Sequence, residues 1–164
     1  MRIFFDMEFT GLHQATSLIS IGITAENGKE FYAEIEDFDK KYISMWAKEH
    51  VLSNLVGKNV IKRKELKDKL TRWLEQFDEV EVWSDCLAYD WVLFCQIWGG
   101  AKHIPHHVYY IPFDICTLML AKGVDPDIDR EEFAGKAQFD HTRKHNAMHD
   151  ARVIKACHKK LVSI

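Results

Sequence analysis

Arg2-Ile3-Phe4-Phe5-Asp6-Met7-Glu8-Phe9-Thr10-Gly11-Leu12 is the stretch that decides the fold. Its aromatic and apolar content up to Phe9 predicts a strand, and Thr10-Gly11 predicts a turn at its end. Alternate strand residues share a face, so Asp6 and Glu8 project together while Phe5 and Met7 point the other way. Like charges that close call for a cation between them. A solvated strand edge can carry the same triplet by chance, so its weight comes from the rest of the chain.

Two further segments supply acids. Asp90 lies in Ala88-Tyr89-Asp90-Trp91-Val92-Leu93-Phe94, and Asp150 closes His145-Asn146-Ala147-Met148-His149-Asp150-Ala151. Two divalent cations about 3.5–4 Å apart can stabilise both the attacking and the leaving oxygen of a phosphoryl displacement. Asp6, Glu8, Asp90, Asp150 and His145 suffice for such a centre, assembled from distant segments.

In this order the segments resemble the DEDD 3′–5′ exonucleases of the histidine subtype. Asp6-Met7-Glu8-Phe9-Thr10-Gly11-Leu12 is similar to the family's Asp-x-Glu-Thr-Thr-Gly-Leu, with Phe9 in place of the commoner Thr. Ala88 to Phe94 is similar to Asn-x-x-Phe-Asp-x-x-x-Leu, with Asp85 or Cys86 where the leading Asn usually stands. His145 to Ala151 is similar to His-x-Ala-x-x-Asp-Ala. Small bacterial exoribonucleases with an Ala-Tyr-Asp second motif are the nearest likeness, oligoribonuclease and ribonuclease T a looser one.

Composition agrees with that likeness. At 164 residues, 47% hydrophobic and 12% aromatic, the chain suits one domain, residues 1–164, with a real core. A net charge of -3 excludes a protein that coats long duplexes by positive charge and predicts weak, end-focused binding. Cys86, Cys95, Cys116 and Cys157 form no Cys-x-x-Cys pair and read as reduced, buried residues. No apolar stretch reaches membrane-spanning length, and the first strand begins without a charged-then-apolar leader. The expectation is a cytoplasmic protein without a membrane partner.

Strands are expected over Ser17–Thr24 and Lys29–Ile35, joined by the Asn27-Gly28 hairpin signal, and over Val80–Trp83 and His107–Ile111. Helical spacing covers Tyr42–Val56, Lys62–Phe77, Tyr89–Trp98, Ile115–Lys122 and Met148–Val162, with Gly123–Gly135 as a long loop. This order suits an α/β fold with a mixed sheet flanked by helices. The resemblance implies the ribonuclease H-like sheet, three antiparallel strands then two parallel.

Other clusters have plain alternatives. Lys62, Arg63, Lys64 and Lys67 interleave with Glu65 and Asp68, as on an ordinary solvated helix face. Lys136, Arg143 and Lys144 lead into His145 and are candidates for phosphate contact. His141, His145 and His149 at four-residue spacing could line a zinc site, but that reading leaves Asp6, Glu8 and Asp90 idle, and carboxylate oxygens suit Mg or Mn. His103, His106 and His107 read as surface loop, and the five tryptophans mostly as packing. Phe9, Thr10, Gly11 and Leu12 are the candidates for the terminal nucleotide, Phe9 and Leu12 through stacking on its bases.

The resemblance implies two Mg2+ or Mn2+ ions held by Asp6, Glu8, Asp150 and Asp90, with His145 as general base and His149 at a variable position. It implies hydrolysis of single-stranded RNA or 3′ overhangs to nucleoside 5′-monophosphates. Related small enzymes are often dimers. Two alternatives stand beside it: a proofreading-like 3′–5′ DNA exonuclease, and a non-catalytic nucleic-acid-binding protein, which would be expected to have lost one of the five chemical residues.

Overall fold

The computed structural model describes all residues from Met1 to Ile164. Its centre is a six-stranded mixed sheet in the order β4-β3-β2-β1-β5-β6. Strands β1 (Arg2–Phe9), β2 (Leu18–Ala25) and β3 (Glu30–Ile35) form the antiparallel meander expected from the alternation and the Asn27-Gly28 turn. Strand β5 (Glu81–Ser84) runs parallel to β1, and β6 (Phe113–Asp114) parallel to β5. A two-residue strand, β4 (Val60–Ile61), extends the other edge parallel to β3 and has no counterpart in the sequence reading.

Helices cover both faces. On one, α2 (Arg63–Leu74) and α3 (Ala88–Gln96) bury Leu66, Leu70, Leu74, Leu93 and Phe94 against Ile3, Phe5 and Met7 of β1. On the other, α4 (Ile115–Ala121), α5 (Arg130–Ala134) and α6 (Ala147–Leu161) enclose Phe4 with Ile115, Phe133, Val153 and Ile154. The alternation of β1 therefore divides its residues between two cores.

Several boundaries differ from expectation for local reasons. The helix expected over Tyr42–Val56 is only α1 (Met45–His50), followed by a 3-10 turn at Leu52–Asn54. Ser53 Oγ and Asn54 Nδ2 donate to the Glu49 and His50 carbonyls, competing with further helical turns. The strand expected at His107–Ile111 reduces to one bridge between Val80 and Val108, and β6 begins just after Pro112, whose ring nitrogen cannot join a ladder. The stretch expected as loop, Gly123–Gly135, contains α5, capped by the Asp129 carboxylate and ended by Gly135 at φ 107°. The basic residues of α2 face solvent, as a solvated helix face should. Cys86 is exposed, whereas Cys95 and Cys157 are buried, and all four cysteines are free thiols. No helix is long and apolar enough to cross a membrane.

Candidate active site

Asp6 and Glu8 sit at the carboxy end of β1, on the face turned toward α6. Strand β5 pairs with β1 only from Arg2 to Phe4, so β1 runs on past this parallel neighbour. There the Met7 N–H is met by Asp90 Oδ1 at 2.8 Å, which brings the first turn of α3 against the strand between the two acids.

Asp150 arrives from the other direction. Asp6 pairs with Gly22 across the β1–β2 ladder, and a Cβ built on Gly22 would lie 2.3 Å from the carbonyl of Ala147. Only a glycine lets the first turn of α6 rest so closely on the sheet. Asn146 caps that turn, its Oδ1 accepting the His149 N–H at 3.2 Å. His145 precedes it with φ 67°, a left-handed backbone uncommon for a side-chain-bearing residue. Its N–H donates to Asp150 Oδ2 at 2.9 Å, tying histidine and acid together.

A ring nitrogen of His145 and carboxylate oxygens of Glu8 and Asp150 lie within 4.8 Å of one another. No lysine or arginine forms an ion pair with Asp6, Glu8, Asp90 or Asp150. Burial, then repulsion from Asp150 and Asp90, pushes the Glu8 carboxyl up to about 8. Burial raises Asp90 and Asp150 to about 7 each, although backbone N–H donors at both oppose the rise. Asp6 lies well above the usual carboxylate range through burial and the fields of Glu8, Asp150, Asp90 and Asp85. Such a set lacks a counter-charge, and its oxygen donors fit hard divalent cations. Burial, with Lys144 and His50 nearby, lowers His145 from its ordinary value and keeps its imidazole neutral at pH 7.

The acids form one side of a cavity of about 850 Å3 whose other side is apolar, lined by Phe9, Leu12, Trp46, Ala47 and Tyr89. Phe9 stacks on Tyr89 with ring centroids 5.6 Å apart. Leu12 is 76% exposed and free to meet a ligand. Gly11 also lines the cavity. Thr10 is buried, its hydroxyl engaged by Thr16 and by the Ser17 N–H at 2.9 Å, so its side chain is spent inside the turn. Arg143 faces a separate cleft with Asn146 and Arg152. Lys144 pairs with Asp129 at 3.1 Å beside a second opening onto Asp6 and Asp150. Arg143 and Lys144 thus stand apart from Phe9 and Leu12.

The three histidines at four-residue spacing do not converge. His149 Nε2 donates to Glu131 Oε1 at 2.7 Å, His141 Nδ1 binds the other oxygen of Glu131, and His145 alone faces the acids.

The family model described as the 3′-5′ exoribonuclease Rv2179c-like domain matches residues 1–162. The chain belongs to this family. Two curated relatives from Mycobacterium tuberculosis, 3′-5′ exoribonuclease Rv2179c of strain H37Rv and its counterpart in strain CDC 1551, are each 36% identical to it over 110 residues. Those residues span 64% of this chain and 66% of the relatives. The RNase domain of the yeast Pop2 protein superposes with a TM-score of 0.67 at 13% identity, covering 99% of this chain and 76% of that one. That likeness carries the fold alone, the ribonuclease H-like mixed sheet flanked by helices.

In this Rv2179c-like domain three residues not proposed as site residues from the sequence also reach the site. Trp46 is 50% exposed, stacks on His50 at 4.9 Å and sets its ring against the His145 imidazole at 4.7 Å, which corrects its expected role as packing. Its four-residue spacing from His50 on α1 is the only sequence sign of this. Asp85 lines both openings and is held by Arg130 at 2.7 Å, and Glu131 joins two histidines. Neither contact leaves a local sequence pattern.

Proposed function

We propose that this chain is a metal-dependent 3′–5′ exoribonuclease that removes nucleoside 5′-monophosphates one at a time from single-stranded RNA ends. The observation that carries the reading is the set of four unpaired, largely buried carboxylates beside a neutral histidine, open to an apolar wall. Asp6, Glu8 and Asp150 would hold divalent cations, with Asp90 contributing from α3, and Mg2+ or Mn2+ suits an oxygen-rich set. Bound cations of this kind offset phosphate charge and lower the pKa of the attacking water. The lone pair of neutral His145 takes the proton from that water as it attacks the terminal phosphodiester. The cavity wall of Leu12, Phe9 and Trp46 offers faces on which a terminal base stacks without sequence preference.

A single strand follows from physics, because a paired base must be unstacked before it enters such a cavity, at a cost of a few kcal/mol. RNA as substrate is supported by the family description and by the names of the mycobacterial relatives. Matched end-labelled RNA and DNA strands, incubated with Mg2+, Mn2+ or chelator, test the proposal. RNA should be shortened faster than DNA, and chelator should stop both. Faster loss of DNA would move the substrate to the proofreading class, and equal activity in chelator would remove the metal centre.

A further inference from the structure

Three consecutive residues at the start of α5 each grip a different segment of the site. Asp129 Oδ2 accepts from Lys144 Nζ at 3.1 Å, Arg130 donates to both Asp85 oxygens at 2.7 and 3.1 Å, and Glu131 spans His149 and His141. Glu131 differs from its neighbours in being 6% exposed, with both carboxylate oxygens occupied by imidazoles.

We infer that Glu131 is a positioning residue, a clamp that fixes the place of His145 by holding the chain on both sides of it. The inference rests on the proposed function for its catalytic meaning. His141 lies four residues before His145 and His149 four after, so one carboxylate fastens both ends of the segment that carries the base. That segment needs fastening, because His145 occupies a left-handed backbone that persists only where its surroundings over-determine it. The helical end is further seated by Phe139, whose ring meets His149 edge-on at 5.8 Å. From the other side, Asn54 Nδ2 donates to the Lys144 carbonyl at 2.7 Å, so the segment is held between α5 and the turn after α1. Burial opposes ionisation of Glu131, but its hydrogen bonds with His141 and His149 hold the carboxyl below the usual range, so it stays an acceptor for both rings at neutral pH.

The test compares Glu131→Ala with Glu131→Gln, whose amide can accept from one imidazole and donate to the other. Three readouts are taken: steady-state kinetics on single-stranded RNA, Mn2+ titration calorimetry, and amide hydrogen exchange. Glu131→Ala should speed exchange over residues 136–146 by about tenfold or more, leaving β1 unchanged. Its kcat should fall by about 100-fold, as expected for a misplaced reacting group, while KM and Mn2+ affinity stay within about threefold. Glu131→Gln should keep protection and most of kcat. His141→Ala, a milder change, should loosen the same residues without touching α6. Wild-type kcat in Glu131→Ala, unchanged exchange over residues 136–146, or equal losses in the Ala and Gln variants would overturn the clamp. Should the wild-type protein hydrolyse no RNA, the functional reading falls, while exchange and Mn2+ titration still decide whether Glu131 holds this segment.

Discussion

The Met7 N–H donates to Asp90 Oδ1 at 2.8 Å, across 83 residues of chain. Met7 stands between Asp6 and Glu8, with its side chain in the core beneath α3, so this one bond joins two of the three acidic segments and spaces their carboxylates. The third is set by Gly22, which admits the backbone of α6 next to Asp6. Backbone groups thus position the acids: the Met7 N–H holds the Asp90 carboxylate, and the backbone of α6 seated on Gly22 places Asp150.

Asp6→Asn removes a carboxylate at the crowded centre of the set. Activity should fall by at least about 10³-fold, equivalent to about 4 kcal/mol of transition-state stabilisation. The metal-free variant should melt at the same temperature or higher, since repulsion is relieved. Wild-type turnover in Asp6→Asn would remove the site assignment.

Gly22→Ala tests the close approach of α6. The new methyl would meet Ala147 backbone, which cannot swing aside as a side chain would. Overpacking of this kind costs about 1–3 kcal/mol, roughly 2–12 °C in Tm for a chain of this size. Activity measured well below Tm should drop as well, because α6 carries Asp150. An unchanged Tm would show that the helix is not seated as described.

These relationships divide what a sequence can and cannot reveal. Strand β1 was legible because aromatic content and alternation act within eight residues, and the acids were legible because they must be carboxylates at fixed local offsets. Helix α5 was hidden inside an acidic, proline-containing stretch although Asp129 and Gly135 supply its caps. Trp46 and Glu131 were opaque for a different reason. Their roles depend on which distant segment the fold lays against them, and neither periodicity nor capping encodes that.

Stability should depend on pH and metal together. In the folded protein Glu8 sits near 8 and Asp90 and Asp150 near 7, all above their unfolded values of about 4. Between those limits the unfolded chain binds fewer protons than the folded one, so stability is greatest below about pH 4 for these groups and is lost as pH rises toward 8. Metal-free protein should therefore lose at least about 5 °C in Tm between pH 5 and pH 8. Mn2+ at 100 times its Kd should restore about 2.7 kcal/mol at the upper pH. A Tm that rises over this range without metal would contradict the electrostatics.

His145→Ala should lower kcat by about 10²–10⁴-fold. Neutral imidazole is the active form and burial lowers its pKa, so the wild-type rate should climb with pH and level off below about 6.5, with that limb flattened in the variant. Trp46→Ala should raise KM by about tenfold through lost base stacking, while Trp46→Phe keeps a ring and most of the affinity. Parallel pH profiles for wild type and His145→Ala would exclude His145 as the base.

A 5′-end-labelled single-stranded RNA incubated with Mn2+ tests the central claim most directly. The account predicts a ladder descending one nucleotide at a time from the 3′ end, absent with chelator and absent with Asp6→Asn. Immediate release of labelled mononucleotide, or cutting of a circular RNA, would contradict it.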